Sequence, residues 1–300
     1  MYANFKQLKK SLLLALILTV FLALTCLYTN TFVAFGMPFY DLQPQKIVLR
    51  AQFFTSYTSS SQERKDNIAL ACKAIDRTLV EPNCEFSFNN VVGERTVKRG
   101  YKVSKIIVNG EFVDGVGGGV CQVSTTLYNA VLLAGLKIIE FHPHSLPVSY
   151  VAPSFDAMVN SGWADFKFIN QTKNPVIIRA VADGATLRVE VYGQPLEEKY
   201  VRKSVVTEQI PAPESEIVYD DELLYPELYL GESKTVKYGK NGYKSEGYLM
   251  VLKNGKLIEV KKIRTDTYLA TRGKVVMGKV EKPIEESEEK EIKITDKQAS

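Results

Sequence analysis

Histidine is almost missing from this 300-residue chain, which has two; tryptophan occurs once and cysteine four times. With thiols and imidazoles so scarce, no CxxC pair and no zinc-finger spacing exists, and no cofactor-binding pattern appears. Charge of one sign is also lacking. The net +4 is slight, and the basic residues are spread along the chain instead of clustering among aromatics, which excludes a nucleic-acid footprint. The one glycine-rich loop is not followed by Gly-Lys-Ser/Thr, so it is not a phosphate-binding loop. What remains is an apolar fraction of 45%, enough to bury an ordinary core.

The N-terminus holds the one long hydrophobic run. Lys6, Lys9 and Lys10 precede Leu12 to Tyr28, a stretch without charge or proline, and uncharged residues extend it through Phe35. This length reaches the lower limit of about 17 residues for a bilayer span. With the lysines on the short side, residues 1–36 read as a cytoplasmic stub and transmembrane anchor. The expectation is a single-pass membrane protein touching the lipid bilayer through residues 12–35, with the bulk of the chain extracytoplasmic. A signal peptide is the rival, but the run exceeds the usual h-region of about 7–15 residues and no small-x-small site follows. Cys26 then lies in the membrane, leaving Cys72, Cys84 and Cys121 outside. Cys72 and Cys84 either pair or, the favoured reading, Cys72 is a core position of its helix.

Beyond a turn-rich stalk at Pro38 to Pro44, residues 45–195 read as an α+β domain. It opens with a strand near Ile47 to Phe54. Ser60 and Glu63 form a capping-box pattern ahead of a helix over 62–80, with Ile68, Ala71, Cys72, Ile75 and Leu79 on one stripe. Asn109-Gly110, Asp183-Gly184 and Asn254-Gly255, each between apolar runs, predict type I′ hairpins. A helix is expected over 121–136, and FHPHSLPVSYV and DFKFINQT read as strands. Residues 196–279 carry recurrent glycines without helical period and read as a small all-β module. Residues 280–300 read as a disordered charged tail.

Chemistry concentrates in GVGGGVCQVSTTLYNA. Gly117, Gly118 and Gly119 allow positive φ or close approach of a ligand to the backbone. Cys121 follows at the start of a helix, where the orphan N–H groups and the dipole favour thiolate. Gln122, Ser124, Thr125 and Asn129 form a polar edge expected to face a cleft as ligand-binding residues; the alternative is that their polar groups satisfy the backbone. His142 and His144, two residues apart, project to one side if extended. One of them near Cys121 supplies the base of a thiol nucleophile, with Asp156 or Asn129 orienting it and loop N–H groups or Gln122 as oxyanion donors. A zinc site of Cys121, His142 and His144 and a non-catalytic ligand site are the alternatives.

FSFNNVVGERT at Phe86 to Thr96, RGYK at Arg99 to Lys102, the run from Ile106 to Ala130 and HSLPVSYV at His144 to Val151 resemble the VanW family. The likeness spans roughly Phe53 to Gly193, and residues from about Tyr200 to Gly278 resemble the G-five domain. Family motif positions include Gly117, Gly118, Gly119, Cys121, Gln122, Ser124, Thr125, Thr126, Tyr128, Asn129, His144 and Ser145. His144 is therefore preferred over His142 as partner of Cys121. The resemblance implies a Gram-positive cell-envelope protein whose expected partner is cell-wall peptidoglycan or another wall glycan, either bound or acted on.

Overall fold

The computed structural model describes residues 46–108 and 110–282; the anchor, the stalk and the chain beyond residue 282 lie outside them. In chain order the elements are β1 (Val48–Ser56), α1 (Gln62–Ile75), β2 (Thr78–Val80), β3 (Glu85–Ser87), α2 (Phe88–Val92), β4 (Val103–Val108) and β5 (Glu111–Val116). Next come α3 (Val120–Leu133), β6 (Lys137–Glu140), β7 (Lys167–Ile169), β8 (Val176–Ala182) and β9 (Thr186–Gly193). The remainder is strand only: β10 (Glu198–Ile210), β11 (Glu216–Tyr219), β12 (Ser233–Lys237), β13 (Gly242–Lys253), β14 (Lys256–Tyr268) and β15 (Lys274–Met277). Among the described residues no helix is long and apolar enough to cross a membrane.

The first region is mixed α+β, as its patterning predicts. An antiparallel sheet ordered β1-β9-β8-β2 packs against α1 and α3, and a smaller sheet, β3-β7-β6, lies beside it. Helix α1 buries Ile68, Ala71, Cys72 and Ile75 at helical spacing. It begins one residue later than the capping pattern implies: the Ser61 hydroxyl accepts from the N–H of Arg64, while Ser60 binds the Arg64 guanidinium. It also ends at Ile75, because Arg77 takes a positive φ and Thr78–Val80 pairs as a strand with β8.

Helix α3 is buried almost all round, with Cys121 among its few half-buried positions. A central helix of this kind must pair its polar side chains internally. The segment from His142 to Phe166, expected to be extended, is mostly irregular. Its main chain is held by α3 side chains instead of by a sheet: Ser124 and Thr125 bond the backbone of Ala157, and Asn129 donates to the Phe155 carbonyl.

Of the three hairpins, only Asn254-Gly255 is resolved as a two-residue turn with both residues at positive φ, closing β13 on β14. At Asp183-Gly184 the loop is longer. The Asp183 carboxylate accepts from the N–H groups of Ala185 and Thr186, and this side-chain turn replaces the type I′ geometry. β4 and β5 form the first hairpin, but Asn109 is not among the described residues.

The strand-rich C-terminal region holds two three-stranded sheets, β10-β13-β14 and β11-β15-β12, with β11 and β15 parallel. It is seated on the first region through close contacts. A Cβ on Gly135 would lie 2.5 Å from the Tyr200 ring of β10, and the Arg202 guanidinium lies over both Phe53 and Phe155, 4.3 and 4.6 Å from their centroids. The Ser245 and Ser154 hydroxyls bond at 2.7 Å, and the N–H of Leu269 donates to the Ser145 carbonyl at 2.8 Å.

One buried amide on α1 ties the glycine loop to β4. Asn67 donates to the carbonyls of Lys102 and Gly118 at 2.9 and 3.0 Å and accepts from the N–H of Lys102 at 2.7 Å. Asn67→Leu is expected to strand these groups and to lower the unfolding free energy by about 2–3 kcal/mol, read from urea midpoints. An unchanged midpoint would show that the loop needs no such clamp.

Candidate functional site

The loop before α3 turns on two positive φ angles, 89° at Gly117 and 106° at Gly119. It is not an open cradle. A Cβ on Gly117 would lie 3.0 Å from the Arg95 Cβ, one on Gly118 would lie 2.6 Å from the Lys105 carbonyl oxygen, and one on Gly119 would lie 3.0 Å from the Arg64 Cγ. The glycines are required because two arginine stems and a strand pass directly over them.

Cys121 stands in the first turn of α3, half-buried, its thiol donating to the Val159 carbonyl at 3.3 Å. His144 is the side chain that acts most strongly to draw this thiol toward ionisation. The His144 ring is buried, and its Nδ1 meets the Asp156 Oδ2 at 2.6 Å, which leaves Nε2 as the nitrogen for the sulfur. The same oxygen accepts from the main-chain N–H of His144 at 2.6 Å. Imidazole and carboxylate thus form a hydrogen-bonded pair that acts on the cysteine, the residue types of nucleophile, base and orienting group in thiol and serine acyl-transfer sites.

The electrostatics follow from this geometry. Burial by itself pushes the Cys121 thiol up, but the hydrogen bond and charge of His144, helped by the Val159 backbone and Arg95, outweigh it and bring the thiol below its ordinary value. Burial likewise disfavours a charged His144, yet hydrogen bonds to Asp156 and Cys121 raise the ring to about 9. Burial also opposes ionisation of Asp156, and His144, Arg264 and Tyr268 overcome it and hold the carboxyl down. The two shifts, thiol down and imidazole up, run in the directions that bring thiolate and imidazolium together, and the two titrations belong to the couple.

The C-terminal strands complete the site. From β14, Tyr268 donates to Asp156 Oδ1 at 2.6 Å, and Arg264 donates to the Asp156 carbonyl at 2.6 Å and reaches Oδ1 at 3.4 Å. Asp266 holds the other side of the Arg264 guanidinium at 2.6 and 3.0 Å. The alternation Arg264, Asp266, Tyr268 on the inward face of one strand was the available signal, since charged residues at buried strand positions need partners.

Other residues expected at the site have different duties. Gln122 is buried and fully engaged, donating to Thr55 and Ser56 and accepting from Arg64, so its side chain is not an oxyanion donor. Ser124, Thr125 and Asn129 are also buried and bond the 155–157 backbone; Asn129 additionally accepts from Arg202. Their polar edge faces a packed segment instead of a cleft. His142 does not share the side of His144: it bonds Glu140 at 3.0 Å and meets the Trp163 ring edge-on. Cys121, His142 and His144 therefore do not converge, and no metal-holding cluster occurs among the described residues. Cys72 and Cys84 are free thiols, the first buried in the core and the second exposed.

The family model described as "VanW like protein" matches residues 63–192, and that of the G5 domain matches residues 201–278. An uncharacterized Bacillus subtilis protein, YoaR, is 47% identical over 152 residues, 51% of this chain and 50% of its own. The Enterococcus faecalis vancomycin B-type resistance protein VanW is 32% identical over 124 residues, 39% of this chain and 45% of its own. The chain thus spans about half the length of these curated relatives. Two solved structures, an IgA1 protease G5 domain and HP0197-G5, are 24% and 26% identical over 28% of this chain, with 93% and 100% of their own chains covered and TM-scores of 0.19 and 0.16. The chain carries a VanW-like domain with a G5 domain C-terminal to it.

Proposed function

We propose that this chain is a cell-envelope thiol enzyme, a transferase or hydrolase acting on amide bonds of cell-wall peptides. The observation that carries this reading is the buried, hydrogen-bonded pair of His144 and Asp156 acting on Cys121 at the start of α3. The extracytoplasmic setting is supported by the lysine-flanked apolar run at residues 12–35, and the link to the wall by the pairing of VanW-like and G5 domains. The name of the enterococcal relative connects that protein with vancomycin resistance.

In the first step the Cys121 thiolate attacks the amide carbonyl carbon, forming a C–S bond and moving the π electrons onto oxygen. In the first turn of α3 the N–H groups of Val120 and Gln122 already donate to the Gly117 and Gly119 carbonyls, so the main-chain N–H of Cys121 is the donor for that oxyanion. The C–N bond then breaks, the amine leaves with the proton from His144, and a thioester remains. Water or a second amine attacks the thioester and yields a proton to His144 as the thiolate departs. Asp156 keeps the imidazole oriented and stabilises its charge throughout.

Incubating the protein with purified wall peptides and following amide cleavage or transfer by mass spectrometry tests the reading. Cys121→Ala is expected to reduce turnover by about 10³-fold or more, and equal turnover by the variant would end the proposal.

The pH dependence has a defined sign. Acidifying through the depressed thiol value protonates sulfur, and raising pH through about 9 takes the proton from His144. Alkylation of Cys121 should persist at pH values where a free thiol of pKa about 8.5 has lost its reactivity, while turnover falls on the alkaline side as well. A thiol titrating near 8.5, or one that never reacts, counts against the pair.

Tyr268→Phe removes one donor from Asp156 without adding bulk. The expected result is a roughly tenfold lower kcat at little changed KM, with the alkaline limb moved to higher pH because an Asp156 carboxylate relieved of one donor holds the His144 proton more tightly. A change in stability alone, with the pH profile unmoved, would assign Tyr268 to the domain seam only.

A further inference from the structure

Two arginine side chains cross the glycine loop that leads to the thiol, and among the described residues neither forms an ion pair. Arg64, in the first turn of α1, crosses Gly119 and donates to Ser60 Oγ at 2.7 Å and Gln122 Oε1 at 2.8 Å. Arg95, in the segment after α2, crosses Gly117 and donates to Asn89 Oδ1 at 2.6 Å and Ser161 Oγ at 3.4 Å. Both are half-buried, and all four of these acceptors are neutral. Asp165 acts on Arg95 only from a distance, its oxygens being taken by Ser87, Asn89 and Phe166. Partly desolvated cations of this kind call for an anion.

Arg95 also lines an open pocket of about 330 Å³ with Asn89, Asn90, Gly93, Glu94 and Ser161. Ser161 is two residues from Val159, whose carbonyl receives the Cys121 thiol, so pocket and nucleophile share one short segment. Guanidinium forks match the planar geometry of carboxylates. We propose that Arg95, with Arg64 across the glycine loop, forms a subsite for a carboxylate of the peptide whose amide Cys121 attacks. This rests on Cys121 being the nucleophile. It adds that the substrate bears a free carboxylate close to the scissile bond and that the triple glycine exists to let the two arginines lie beside the sulfur.

A pair of alkylating probes of nearly equal size tests the subsite. Iodoacetate carries the carboxylate and iodoacetamide does not, and any change in the ionisation of Cys121 affects both equally, so their rate ratio isolates the anion site. The Arg64→Gln, Arg95→Gln double variant is expected to lower the ratio of iodoacetate to iodoacetamide rates by about tenfold relative to the parent protein. A ratio unchanged within about twofold would overturn the subsite.

In a second arm, acetyl-dialanine with a free carboxylate and its carboxamide are titrated calorimetrically into Cys121→Ala protein, which reads the site without the thiol. Binding of the acid that exceeds the amide and is lost in the arginine variants supports the subsite. Equal binding of acid and amide, no binding of either, or equal competition by inorganic phosphate overturns it. If Cys121 reacts with neither probe, the proposed enzymatic function fails, while this second arm still decides the subsite.

Discussion

A carboxylate with 1% of its surface exposed is the element on which both the site and the domain seam depend. Asp156 Oδ2 collects the main-chain N–H and the ring nitrogen of His144, and Oδ1 collects the Tyr268 hydroxyl and the Arg264 guanidinium. An isolated ion at this depth would not stay ionised; it stays ionised because donors and opposite charges converge on it. The bonds to the carboxylate that orients the His144 ring are thus in part the bonds that seat the G5 domain on the VanW-like domain. The G5 domain is therefore a wall of the site as well as a neighbour.

The same economy governs α3. Because the helix is buried on nearly every side, Gln122, Ser124, Thr125, Thr126 and Asn129 must find internal partners, and all five turn to the strand β1 or the segment 155–157. That segment gives up sheet pairing and takes side-chain partners. Its irregular course brings Asp156 to His144 and the Val159 carbonyl to Cys121. The polar edge of the helix thus builds the site indirectly, by placing the loop that carries Asp156.

The local signals in the chain were legible where one element decides its own conformation. The apolar stripe of α1, the helix after the triple glycine, the Asn254-Gly255 turn and the strand-rich C-terminal region all follow from spacing or turn chemistry. Cys121 at a helix start and the two histidines stood out by residue type and spacing, and the VanW resemblance favoured His144 between them. Readings went astray where distant partners outcompeted local pattern. His142 goes to Glu140 and Trp163, Gln122 is used up by Thr55, Ser56 and Arg64, and the residues after His142 trade extended pairing for bonds to α3.

The sequence by itself determined the thiol, its glycine loop and two candidate histidines, since these depend on residue type and short spacing, while the choice of His144 between them came from the family resemblance. Only the tertiary structure decided between Asp156 and Asn129 as orienting group, because that choice rests on which side chain a packed helix has already consumed. It alone brought Arg264 and Tyr268 to Asp156 across more than 100 residues and set Arg64 and Arg95 beside the sulfur. Long-range ion pairing leaves no local period in a chain; it is fixed only when burial forces each charge to find its partner.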